Sequence, residues 1–233
     1  MKSELPKVLH PLCGKSLIEH VVDSLNSAGI DDILVVVGYR GDEVIDKLGS
    51  RLNYVWQHEQ LGTGHAVMQA EDYYRGYEGD VIIACGDVPL IKPETFRALI
   101  RSAEDEGTGA VVLTMIQENP TGYGRIIKEN GKFVRIVEEK DANDEQRKIK
   151  EVNSGTYIFK SRYLFEGLKR INTQNAQGEY YLPDALNYIL SAGLTVKTFP
   201  MTDSVEGRGI NTREELLSLE QHVLKKAKDK THE

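Results

Sequence analysis

The chain has 233 residues, 21 of them glycine, and 40% of its side chains are hydrophobic; this is the make-up of one ordinary α/β domain, not of a disordered or fibrous protein. Its 36 acidic residues outnumber 29 basic ones, and the formal charge of −7 argues against holding a nucleic-acid backbone or an anionic membrane, which leaves small molecules as the expected partners. Two cysteines, Cys13 and Cys85, exclude a disulfide framework and a cysteine-rich zinc site and point to the reducing cytoplasm, while no apolar run approaches the ~20 residues of a membrane span.

In chain order, apolar residues at Leu17, Ile18, Val21, Val22 and Leu25 predict a helix over 16–28, stopped by Gly29. The run ILVVV at 33–37 reads as a strand buried on both faces. A short helix over 42–48, a strand over 54–57, a helix over 65–74 and a strand over 81–85 continue the alternation, which predicts a parallel doubly wound sheet. Pro93 opens a further helix, and 110–116 is another buried strand. Beyond Asn119 the strands shorten (125–127, 132–137, 156–159) around a charged stretch at 138–151, the texture of an antiparallel or mixed addition. Helices over 162–171 and 183–192, a strand over 194–198 and a last helix over about 212–228 complete the chain, and the mixed-sign tail KKAKDKTHE reads as a fraying helix end.

In an open parallel sheet the ligand crevice lies beyond the carboxyl ends of the strands. Three segments fall there. Cys85-Gly86-Asp87-Val88-Pro89 puts a carboxylate after a strand, so Asp87 is either a Mg²⁺ ligand or the organiser of the turn before Pro89. Gln57 to His65 holds a glycine-containing turn whose N–H groups suit a phosphate or a base edge, and Gln57 can both donate and accept; the alternative is a plain strand-to-helix loop. Lys7, beside Pro6, is a point charge for a polyphosphate or plain surface. Further on, polar clusters at 121–125, 137–141, 151–155 and 177–181 offer the carboxylates, amides and tyrosines that sugar hydroxyls need, and Asn211 ends the glycine-rich turn EGRGIN, as a ligand or as a helix N-cap.

The ordered series LPKVLH, EQLGTGHA, GDVPL, PTGYGRI, VEEKDA, EVNSGTYIF, NAQGEYY and EGRGIN resembles the uridylyltransferase half of the bifunctional enzymes that make UDP-N-acetylglucosamine (the GlmU family). The resemblance implies a Rossmann-like nucleotide-diphospho-sugar transferase fold: a mostly parallel, mixed sheet flanked by helices, with residues 1–211 forming the nucleotidyltransferase domain and 212–233 a C-terminal helix and tail. The implied reaction joins UTP and N-acetylglucosamine 1-phosphate into UDP-N-acetylglucosamine and pyrophosphate, for cell-envelope precursors. By the same resemblance Lys7 contacts phosphate, Gln57, Gly62 and Thr63 hold the uracil, Cys85 and Gly86 lie by the ribose, and Asp87 and Asn211 bind Mg²⁺. Gly124, Glu138 and Asn153, with Tyr181 nearby, hold the sugar.

Three departures accompany the match. Cys85 stands where many relatives carry tyrosine, and Pro183 where they often carry threonine. The family's first strand and its glycine-rich loop LAAGxGTRM precede LPKVLH, and Met1 aligns with the final methionine of that loop; a β-helix domain with its trimer contacts follows in the family. The resemblance therefore implies a chain without the nucleotide-cradling loop, less stable and slower than a complete domain. Another sugar-1-phosphate nucleotidyltransferase, or a UDP-sugar-binding piece without turnover, are the alternatives.

Overall fold

A computed structural model describes residues 3–230; Met1, Lys2 and the last three residues of the tail lie outside the described residues. The chain enters through a single 3₁₀ turn (Lys7–Leu9) and a two-residue hairpin, β1 (Pro11–Leu12) and β2 (Lys15–Ser16), which the sequence pattern does not signal. Helix α1 (Leu17–Ala28) starts on a capping box between Ser16 and Glu19 and stops at Gly29, as expected. There follow β3 (Leu34–Val37), α2 (Gly41–Leu48), β4 (Asn53–Trp56), α3 (Thr63–Met68), β5 (Asp80–Ile83), α4 (Pro93–Ser102) and β6 (Thr108–Ile116). The helix expected over 65–74 is shorter: α3 ends at Met68 and turns continue from there. The second half holds β7 (Arg125–Glu129), β8 (Lys132–Val137), α5 (Asp144–Arg147), β9 (Glu151–Lys160), α6 (Ser161–Leu168), α7 (Ala185–Ser191), β10 (Thr195–Pro200) and α8 (Arg213–Lys230). The strand expected over 156–159 is thus ten residues long, because the polar segment EVNSG is part of it rather than a loop, and α8 runs on through 225–230 as helix.

The sheet is mixed. β5, β6, β7 and β10 run one way, β9 and β8 the other, and β9 is antiparallel to β5, β6 and β7. Along β6 the side chains alternate between two cores: Val111, Leu113 and Met115 pack with α1 and α4, while Ala110 and Val112 pack with α6 and α7. α8 is seated through Leu219 on Leu12, Leu17 and Ile210.

β3 and β4 form a separate parallel pair. Among the described residues, the outer edge of β3 and the free edge of β5 have no strand partner, and a cavity of about 770 Å³ lies between them. Val21 and Leu25 line one side of it, Val67 and Tyr74 another, with Val35 and Ile82 on the two strands. Two unpaired strand edges around an apolar slot have the shape that an extended apolar segment completes, since it would satisfy both rows of backbone groups. The expected outcome is that a chain extended ahead of residue 1 by an apolar strand melts at higher temperature and binds less 1-anilinonaphthalene-8-sulfonate; equal melting and equal dye fluorescence would refute it.

Candidate functional site

Lys7, Asp87 and Asn211 come together at the carboxyl end of β5. The Lys7 ammonium is ion-paired with Asp87 and donates to Asn211 Oδ1 at 2.9 Å, across 204 residues of chain. Asp87 is held by its backbone, whose carbonyl accepts from Ile210 N at 3.0 Å. The turn that delivers Asn211 is anchored by Glu206, a buried carboxylate accepting from Lys92 Nζ at 2.6 Å and Thr95 Oγ1 at 2.6 Å. Asn211 is not the cap of α8. Thr212 fills that role: its Oγ1 accepts from Glu215 N at 3.1 Å, and Glu215 reaches back to the backbone of residues 211 and 212. One cation thus already sits between a carboxylate and an amide oxygen. A hard ion that keeps several waters and phosphate oxygens suits that pair of donors.

Gly124, Glu138 and Asn153 are also assembled in space. A Cβ on Gly124 would stand 2.9 Å from Glu138 Oε1, and Gly124 O accepts from Asn153 N at 2.9 Å. The Asn153 side chain donates to Tyr157 Oη at 2.5 Å and accepts from Gly155 N at 2.9 Å. Glu138 is raised to about 7 by burial first and then by Asp184 and Asp141, with Arg125 pulling the other way. Near neutral pH it therefore offers a sugar both a hydroxyl donor and an acceptor. Tyr181 donates to Asp141 Oδ2 at 3.1 Å. Cys85 is half-buried, its thiol donating to Gly155 O at 3.4 Å; desolvation, reinforced by Asp87, pushes the thiol up to about 12, which makes it an unreactive filler.

Gln57, Gly62 and Thr63 line a separate cleft of about 280 Å³ with Gln60, Ala66 and Glu179. Gly62 has φ +109, and any side chain there would strike Tyr180 O at 2.7 Å. The sequence suggests that this turn leaves its N–H groups open for a ligand. Gly64 N–H, however, donates to Tyr180 O at 2.8 Å, and Thr63 Oγ1 accepts from Leu182 N, so these groups hold the 180–182 segment instead.

Several residues that the sequence offers only as members of polar clusters hold the site together. Arg125 is 1% exposed; it donates to Glu139 Oε2 at 2.7 Å and to Tyr123 O, and Glu139 also accepts from Gly122 N at 3.0 Å. This pair fixes the turn before β7, and the Tyr123 hydroxyl meets the Gly209 backbone, tying that turn to the one carrying Asn211. Asp141 accepts from Ala176 N at 2.8 Å and so holds the 176–181 segment over Glu138. The sequence signals Arg125 only as one member of the polar cluster 121–125, not as half of a buried pair. Among the described residues, no cluster of three or more histidine, cysteine or acidic side chains could hold a metal, and no helix is long and apolar enough to cross a membrane.

A family model described as nucleotidyl transferase matches residues 2–205. A bifunctional protein GlmU of Oceanobacillus iheyensis is 46% identical over all 233 residues, which cover 51% of that protein. One of Geobacillus thermodenitrificans is 46% identical over 214 residues, 91% of this chain and 47% of the relative. The chain spans about half the length of the curated relatives it matches. A UDP-glucose pyrophosphorylase crystallised with UDP-glucose superposes with a TM-score of 0.77 over 95% of this chain and 91% of the other at 19% identity, a likeness of fold.

Because burial raises Glu138 above its unfolded value, the stability it contributes is present below pH 4.5 and is lost as pH rises toward 7. Glu138→Gln should therefore match the parent near pH 4.5 and exceed it at pH 8, by up to about 3 kcal/mol in denaturant unfolding; a pH-independent difference would count against this assignment. Arg125→Met should cost about 3 kcal/mol, because the Tyr123 and Arg147 carbonyls and Glu139 lose their shared donor. Urea melts of the variant check it.

Proposed function

The chain belongs to the nucleotidyl transferase family, and from that premise we propose that it is the uridylyltransferase that joins UTP and N-acetylglucosamine 1-phosphate into UDP-N-acetylglucosamine and pyrophosphate. The observation that carries the proposal is the convergence of Lys7, Asp87 and Asn211 beside the Gly124, Glu138 and Asn153 cluster, with the Gln57 cleft as a third subsite. Asp87 and Asn211 would hold Mg²⁺, which when bound neutralises phosphate charge.

The sugar phosphate is already an anion, so attack of its oxygen on the α-phosphorus, with pyrophosphate leaving, needs no general base. The chain's own contribution is placement and charge. Lys7 supplies a fixed positive charge at the phosphates. Glu138, Asn153 and the Gly124 backbone orient the sugar, with Tyr181 nearby, while Gly86 lets the nucleotide approach the backbone closely and Cys85 packs behind it. The cleft of Gln57, Gly62 and Thr63 takes the base. Cytoplasmic work in cell-envelope precursor synthesis follows from such a product.

The open slot between β3 and β5 favours a second reading, in which this stretch of chain binds the UDP-sugar without turnover. Pyrophosphate release from the two substrates, with and without Mg²⁺, separates the two when paired with calorimetry of UDP-N-acetylglucosamine. Asp87→Ala is expected to lower the rate by roughly 100-fold or more, and an unchanged rate would remove Asp87 from the metal site.

A further inference from the structure

Gln57 follows β4, and its backbone N–H is fixed on Val37 O at 2.7 Å. Its side-chain nitrogen lies 3.1 Å from Gly62 O and 3.1 Å from His65 Nδ1. An amide nitrogen carries two hydrogens, and two acceptors use both. Among the described residues the side-chain carbonyl oxygen of Gln57 has no hydrogen-bond partner, and Gln57 lines the cleft of about 280 Å³. The expectation that Gln57 donates and accepts at once therefore changes: what it has left to offer is an acceptor.

His65 is itself held in place. Its ring stacks on Tyr180 with centroids 6.2 Å apart, and its Nε2 lies 3.3 Å from the Gln69 amide nitrogen, which donates to His65 O at 3.0 Å. A neutral imidazole has one bare nitrogen, so it accepts from Gln57 or from Gln69 but not from both. The shorter contact is to Gln57, and it requires the proton on Nε2.

We propose that His65 is a positioning residue for base choice: by occupying the second Gln57 N–H it leaves the Gln57 carbonyl to face the base, so the cleft takes a pyrimidine with a ring N–H and rejects one whose ring nitrogen is a bare acceptor. This rests on the nucleotide reading of the cleft given above. Uracil has such an N–H at N3. Cytosine presents a lone pair there, which would face the lone pairs of the Gln57 oxygen. A buried site built to accept from an N–H loses that bond with the wrong ring and leaves its own oxygen unpaired.

Calorimetry of UDP and CDP with the parent chain, His65→Leu and His65→Asn tests this. The parent should prefer UDP; His65→Leu frees a Gln57 N–H to serve cytosine and should narrow the UDP-to-CDP ratio by roughly 10-fold. His65→Asn, which returns an acceptor oxygen, should restore most of the preference. A His65→Leu chain that binds both nucleotides more weakly at an unchanged ratio would show a merely structural role and overturn the proposal. A second measurement needs no substitution: nitrogen-15 NMR of the ring at about pH 8, above the ordinary histidine range, should find Nδ1 bare and Nε2 protonated, and the opposite tautomer overturns the proposal whatever the binding data. Failure of the parent chain to bind UDP would instead overturn the reading of the cleft, and the inference with it.

Discussion

β9 pairs with β6 along one edge and shares its other edge between β5 and β7, which meet it end to end. Tyr157 to Lys160 face β5, and Val152 faces Arg125 at the start of β7. Between those pairings lie Ser154 and Gly155, where the register with β6 shifts. The carboxyl end of β5 and the amino end of β7 are thereby aimed at one short piece of β9, and that piece has Gly155 at φ +78 with Cys85 Sγ only 2.8 Å from where a Cβ would be. This pairing brings Asp87, Gly124 and Asn153 together although 66 residues of chain separate the first from the last. A β9 displaced by one residue would turn Asn153 to the opposite face and dissolve its cluster with Gly124 and Glu138.

Charge explains the order imposed around this point. Glu138, Asp141 and Asp184 stand close enough to raise Glu138, and the acidic surplus of the chain gives them no general relief. Relief is local: Arg125 lies behind Glu138, Lys7 stands against Asp87, and Lys92 against Glu206. Arg125 also donates to Tyr123 O and Lys7 to Asn211, while Lys92 holds Glu206 by its backbone N–H as well as its ammonium, so each fixes geometry as well as potential. That dual use distinguishes these pairs from the exposed i,i+3 pairs such as Arg75 with Asp72, which solvent screens to little net effect.

Much of this was legible in the sequence, for identifiable reasons. Strand β6 is buried on both faces and β3 and β5 are buried or half-buried, so all three read as continuous apolar runs, and helices α1 and α4 carry clear stop or start residues. Gln57 and Asp87 lie just past the ends of β4 and β5, where an open sheet leaves its crevice. The polar half of β9 was not legible, because Asn153 and Ser154 are buried by hydrogen bonds to Tyr157 and to Leu113 O rather than by apolar patterning. Arg125, Glu139 and Asp141 were visible only as members of polar clusters: their partners lie 14 to 40 residues away, so neither spacing nor composition reveals that they are paired. Asn211 is distinguished from a helix cap only by Thr212, whose hydroxyl takes that place at the start of α8.

The segment 176–182 touches both ends of the site. Ala176 N and Tyr181 Oη bind Asp141 beside Glu138, while Tyr180 N donates to Leu61 O at 2.8 Å, Tyr180 O accepts from Gly64 N, and Leu182 N meets Thr63 at the Gln57 cleft. Five hydrogen bonds on seven residues leave this segment little freedom to satisfy one side while leaving the other. The segment thus ties the Gln57 cleft to the acid cluster around Glu138 through hydrogen bonds already formed, so displacing it at one end would break backbone bonds at the other and leave their partners unpaired.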